Sequence, residues 1–133
     1  MLTIDLDTLR LFLHVLAATV WVGGQLTLAG LVPGLRAAHP DAPRAAARRF
    51  NLIAWPAFGV LVLTGIWNVS AVHRSGDTAY AVTLGLKLAV VAVSGTSAWL
   101  HARSRTPLGL AVWGAVSGLS ALGALFLGVV LAG

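Results

Sequence analysis

Four apolar stretches follow one another along this chain, at about residues 9–32, 51–72, 79–101 and 108–131, and leave little of it over. Each is about 22 to 25 residues long, roughly 33–37 Å as helix, and the hydrocarbon core of a bilayer is ~30 Å thick. Of the 133 residues, 58% are hydrophobic and only 10% charged, far from the balance of a soluble domain. The pattern predicts an all-α integral membrane protein, a single domain of four transmembrane helices in an up-down bundle within a lipid bilayer. The acidic start, Met1 to Asp7, has no basic region ahead of the apolar run, and no cleavage site follows it. The first stretch therefore reads as a retained helix.

A formal net charge of +5 raises the question of nucleic acid, and the distribution of charge answers it. Arg36, Arg44, Arg48 and Arg49 fall between the first and second stretches, and Arg103 and Arg105 between the third and fourth. Arg10 and Arg74 lie on the other side, together with Asp5, Asp7 and Asp77. The positive-inside rule puts both arginine-rich loops in the cytoplasm and both termini outside, in a bacterial inner membrane. The excess charge serves topology and the lipid surface, so no nucleic-acid partner is expected. Cysteine is absent and Met1 is the only methionine, which leaves no disulfide and no soft sulfur site.

Local signals divide the stretches. Thr3, or Asp7 with Thr8, is placed to cap the first helix, and Pro33-Gly34 is a breaker pair expected to end it. The connection that follows contains Pro40 and Pro43, then an amphipathic run, residues 44–50, expected at the cytoplasmic interface. On the second helix Thr64 and Asn68 share a face near the outer end. On the fourth, Gly114 and Gly118 form a GxxxG spacing, which favours close helix contact.

The first stretch carries an ionisable side chain well inside its apolar length. At 3.6 residues per turn His14, Ala18, Trp21 and Gln25 fall near one stripe, too polar to face lipid. On the third, Lys87, Ser94 and His101 are seven apart and drift only ~20° per step, another inward polar stripe. His14 lies about 6 residues from the outer end of its helix, roughly 9 Å, and Lys87 about 8 residues, roughly 12 Å, so the two share one level. His73 falls at the outer rim, and His101 at the cytoplasmic end. The ordinary readings of such residues are a histidine bonded to a backbone carbonyl, a lysine that snorkels and tryptophans that anchor the interface. Depth argues for more at His14 and Lys87, because buried ionisable groups are costly in a bilayer. Trp21 stands out among the tryptophans by lying mid-helix on the face of His14.

At these residues the chain resembles a known family. His14 followed by Trp21-Val22-Gly23-Gly24 is similar to the first helix of the copper resistance protein D (CopD) family. Arg49-Phe50 leading to Leu63-Thr64-Gly65-Ile66-Trp67 resembles its second motif, and Gly85-Leu86-Lys87-Leu88 followed by His101-Ala102-Arg103 its third. The related HemJ-type protoporphyrinogen oxidases share this layout, and Arg48-Arg49-Phe50 with Trp55-Pro56-Ala57 resembles their second helix. In that group the first-helix histidine and third-helix lysine are functional and haem is bound, which would correspond to His14 and Lys87. CopD proteins are typically larger, so a passage through this shorter chain would call for a homodimer, with Gly114 and Gly118 as a seam.

The resemblance implies, first, a membrane protein that binds or transports copper through a site around His14, with His73 as a further ligand. Imidazole suits Cu(II). A second reading is a haem-b-binding redox or porphyrin-handling protein, with His14 as axial ligand and Lys87, Trp21 and His101 as cofactor-binding residues. A third is a cofactor-free structural or assembly role. The segments contain no carboxylate, no nucleophile–base arrangement and no phosphate loop, so any catalysis would belong to a cofactor.

Overall fold

Asp5 starts the first helix. Its carboxylate accepts from the Thr8 backbone N–H at 2.8 Å and from the Thr8 hydroxyl at 2.9 Å. The Thr8 amide bond, first of all, holds the Asp5 carboxyl below its ordinary pKa. The cap is therefore intact at neutral pH and is lost as pH falls through that lowered value. Asp77 accepts from Tyr80 N–H at 3.0 Å and Thr106 from Gly109 N–H at 3.0 Å, so two later helices begin the same way.

The computed structural model describes residues 3–72 and 76–133. These form α1 (Leu6–Ala38), α2 (Ala42–Ala71), α3 (Thr78–Arg103) and α4 (Pro107–Ala132). All four are long and apolar enough to cross a membrane. The chain divides into two compact units, Met1–His73 and Arg74–Gly133. Each is a helical hairpin: α1 packs on α2, and α3 on α4.

In the first hairpin His14 meets Thr64, Trp21 meets Phe58, and Gly24 meets Phe50. In the second, His101 meets Leu110, Ser94 meets Ser117, and Lys87 meets Gly128. Within each hairpin one number rises as the other falls, so the paired helices run antiparallel.

The first helix departs from its expected limits. It passes through Pro33-Gly34 and ends only at Ala38, and α2 starts at Ala42, well before residue 51. Pro33 removes one backbone N–H, and the helix continues past it. The effective stop is Pro40. A residue before proline is driven out of the α region, and His39 is extended, at φ −159° and ψ 138°. Pro43 then falls in the first turn of α2, where its missing N–H costs little. The run at residues 44–50, expected ahead of the second helix and leading into it, is already part of α2.

A second departure is internal to α1. Residues Thr19–Gly23 form a π turn, which takes up an extra residue and brings two successive side chains, Trp21 and Val22, into the buried face. The Thr19 hydroxyl donates to the Val15 carbonyl at 2.8 Å just ahead of it.

Half of the buried residues are polar, and many large apolar side chains lie outside. Arg10, Thr64, Ser94, Ser97 and Ser117 are buried, while Leu11, Phe12, Leu52, Ile53, Leu63, Leu119 and Phe126 are exposed. An outer surface of that kind suits hydrocarbon. Close approach in the first hairpin depends on Gly24, where a Cβ would overlap the Phe50 ring. Gly24→Ala should destabilise this hairpin by about 1–3 kcal/mol in reversible unfolding from mixed micelles. In a Phe50→Ala background the same change should stabilise by about 1 kcal/mol, since only the helix-propensity gain then remains.

Candidate functional site

The centre of the first hairpin is the contact between His14 and Thr64. Nδ1 of His14 lies 2.8 Å from the Thr64 hydroxyl oxygen. That hydroxyl also approaches the Val60 carbonyl at 2.7 Å and the Leu61 carbonyl at 3.2 Å, one turn back on its own helix. Carbonyls only accept, so a hydroxyl proton given to the Val60 carbonyl leaves Thr64 to accept from His14, with Nδ1 as the protonated nitrogen. In the neutral ring Nε2 therefore carries the lone pair, the form in which imidazole binds a metal centre.

Small and aromatic residues surround this pair. A Cβ on Gly65 would lie 3.6 Å from His14 Cε1, so the ring rests close over the backbone of α2. Towards the middle of the hairpin Trp21, 3% exposed, packs with a tilted ring 4.5 Å from Phe58 and meets Trp55 edge-on at 5.3 Å. Towards its open end Arg10 is buried as well, and its guanidinium pairs with Asp7 at 2.9 Å.

The second hairpin holds the other candidates. Lys87 is half-buried with its ammonium over Gly128, where a Cβ would come within 3.0 Å of Nζ. His101 donates from Nδ1 to the Leu110 carbonyl at 2.8 Å, and its ring lies over Gly114, where a Cβ would come within 3.0 Å of Cε1. Between them Ser94 and Ser117 face each other, each hydroxyl directed at the other's carbonyl, at 3.3 and 3.4 Å. The stripe Lys87, Ser94, His101 thus faces α4. Gly114, expected in a seam between copies, is occupied by His101 of its own hairpin. Gly118 has open space where its side chain would be. His73 lies outside the described residues.

The structure thus brings His14, Trp21 and Thr64 together in one hairpin and places Lys87 and His101 in the other. Sequence reading missed Arg10, which it had assigned to topology alone. The signal was present: Arg10 precedes His14 by four residues and shares its face. It also missed Trp55, Phe58 and Gly128, whose partners lie far away in sequence. Among the described residues no group of three or more His, Cys, Asp or Glu side chains is gathered as for a metal ion. Compared with protein-family models, curated proteins and solved structures, the chain finds no significant match.

Imidazole 15N shifts of the ligand-free protein in micelles should report His14 as the Nδ1–H tautomer. Thr64→Ser should keep that signature, whereas Thr64→Val should shift the population towards Nε2–H.

Proposed function

We propose that this is a haem-b-binding integral membrane protein whose iron takes Nε2 of His14 as an axial ligand. The observation that carries this reading is the Thr64 contact, which leaves Nε2 with its lone pair when the hydroxyl proton is given to the Val60 carbonyl. One oriented imidazole meets the protein's minimum requirement for haem, because the porphyrin supplies four donors itself. Trp55 and Phe58, half-buried against Trp21 about two turns inward, offer apolar surface to a macrocycle. Copper, the expectation from the CopD resemblance, would use the same nitrogen but needs further donors, and this chain has no cysteine and no methionine beyond Met1.

When bound, haem b supplies one-electron chemistry. The chain's own contribution is to hold the imidazole by Thr64 and to keep bulk water away. On this reading α1 to α4 cross a bacterial inner membrane, with both termini outside. Arg36, Arg44, Arg48, Arg49, Arg103 and Arg105 then lie on the cytoplasmic side.

The test is the absorption spectrum of the purified protein, oxidised and dithionite-reduced, with metal analysis on the same sample. We expect a Soret band and sharpened α and β bands on reduction, absent from His14→Ala. Thr64→Val should weaken haem binding by about 10- to 100-fold and Thr64→Ser should restore it. A colourless protein holding stoichiometric copper, lost with His14→Ala, would replace haem by copper. A colourless, metal-free protein that takes up neither on reconstitution would leave the structural role.

A further inference from the structure

Arg10 is the one charged residue buried among the described residues. Its side chain is 8% exposed, and Nη1 pairs at 2.9 Å with Asp7, which is itself 71% exposed. Nε of Arg10 is buried without a hydrogen-bond partner, and so is Oδ1 of Asn68. The two atoms belong to one level of the hairpin. Arg10 precedes His14 by one turn on α1, and Asn68 follows Thr64 by one turn on α2. With the helices antiparallel and His14 bonded to Thr64, Arg10 and Asn68 face each other one turn nearer the open end.

The chemistry of this pair is that of a carboxylate receptor. With Nη1 given to Asp7, the guanidinium edge that carries Nε is left to receive an acceptor, and guanidinium edges match carboxylates. The Asn68 amide presents either oxygen or nitrogen at the same place, since a half-turn exchanges them with no change of shape. An N–H from each residue receives an ionised carboxylate, and the carbonyl orientation receives a protonated one.

We propose that Arg10 and Asn68 seat a carboxylate of the ligand bound at His14. On the haem reading, on which this inference rests, that group is a porphyrin propionate. Haem b carries its carboxylates at one edge, and Arg10 and Asn68 lie on one side of His14, displaced towards the helix end. The competing arrangement is a single water that bridges Nε–H to the amide, a structural pair with no ligand.

The test compares haem b with its dimethyl ester, which keeps the iron and the ring but has no carboxylate. Each is titrated into the ligand-free protein in micelles and followed at the Soret band. The ratio of the two affinities, compared between wild type and variant, cancels their unequal partition into the micelle. We expect the preference for haem b to fall by roughly tenfold or more in Arg10→Leu and in Asn68→Leu, mainly through weaker binding of the free acid. Arg10→Lys should keep part of it. Asn68→Leu, which leaves the Asp7–Arg10 ion pair in place, carries the comparison if Arg10→Leu does not fold. A ratio unchanged in both leucine variants overturns this proposal and leaves His14 as a haem ligand. Failure of the wild type to bind either porphyrin overturns the haem reading itself, and this proposal with it.

Discussion

The Thr64 hydroxyl has one proton, and once the Val60 carbonyl 2.7 Å away takes it, whatever else reaches that oxygen arrives as a donor. His14 is what reaches it. In water such a count would be loose, because solvent could fill either role. Within an apolar hairpin it is tighter, since an unpaired polar atom finds few substitute partners. The contact therefore does two things together. It ties α1 to α2 at one level, and with the hydroxyl proton given to the Val60 carbonyl it leaves the lone pair on Nε2.

The two hairpins solve the problem of close approach differently. In the second, serines do the work. Ser94, Ser97 and Ser117 are nearly fully buried, and they are small enough for the backbones to close while their hydroxyls bond to carbonyls. Glycine is used there as clearance for large polar side chains, Gly128 under Lys87 and Gly114 under His101. In the first hairpin the inner face holds an aromatic group and glycine makes room for a ring, Gly24 for Phe50. Such an interface gains less from backbone proximity and more from dispersion between broad rings. The π turn belongs to this solution, since it buries Trp21 and Val22 together where a regular helix would turn one of them aside.

Most of the helical layout was legible in the sequence, because length and apolar composition are local properties that the bilayer dimension reads directly. The limits of α3 and α4 lie within one or two residues of those expected, and the seven-residue stripe from Lys87 to His101 faces its partner helix. The error around Pro33 has a definite cause. Proline is a weak stop for its own position and a stronger one for the residue before it. Pro40, with His39 extended, ends the helix, while Pro33 only deprives it of one bond. The site was half legible. His14 and Trp21 announce themselves by being polar or bulky on one stripe. Thr64 becomes their partner only through an antiparallel register that no local signal encodes. Arg10 was hidden by a rule that works on average, for arginines near helix ends usually serve topology, and this one is buried.

The choice of a neutral partner for His14 has an electrostatic consequence. A carboxylate in place of Thr64 would raise the basicity of the imidazole and bring a negative charge into the apolar segment, where it would itself require compensation. A hydroxyl orients the ring without adding charge. The charge of any centre bound at Nε2 must then be met by something other than the residue that holds the imidazole. The nearest formal charges along α1 are Arg10 and Asp7, one and two turns towards the open end. Asp7 is largely in solvent, where its field is screened, whereas Arg10 is buried and its field is not. On the proposed reading, a ligand at His14 would therefore meet the buried Arg10 guanidinium on one side only. A ligand that is itself asymmetric, anionic at one edge and apolar at the other, fits that field better than a bare cation does.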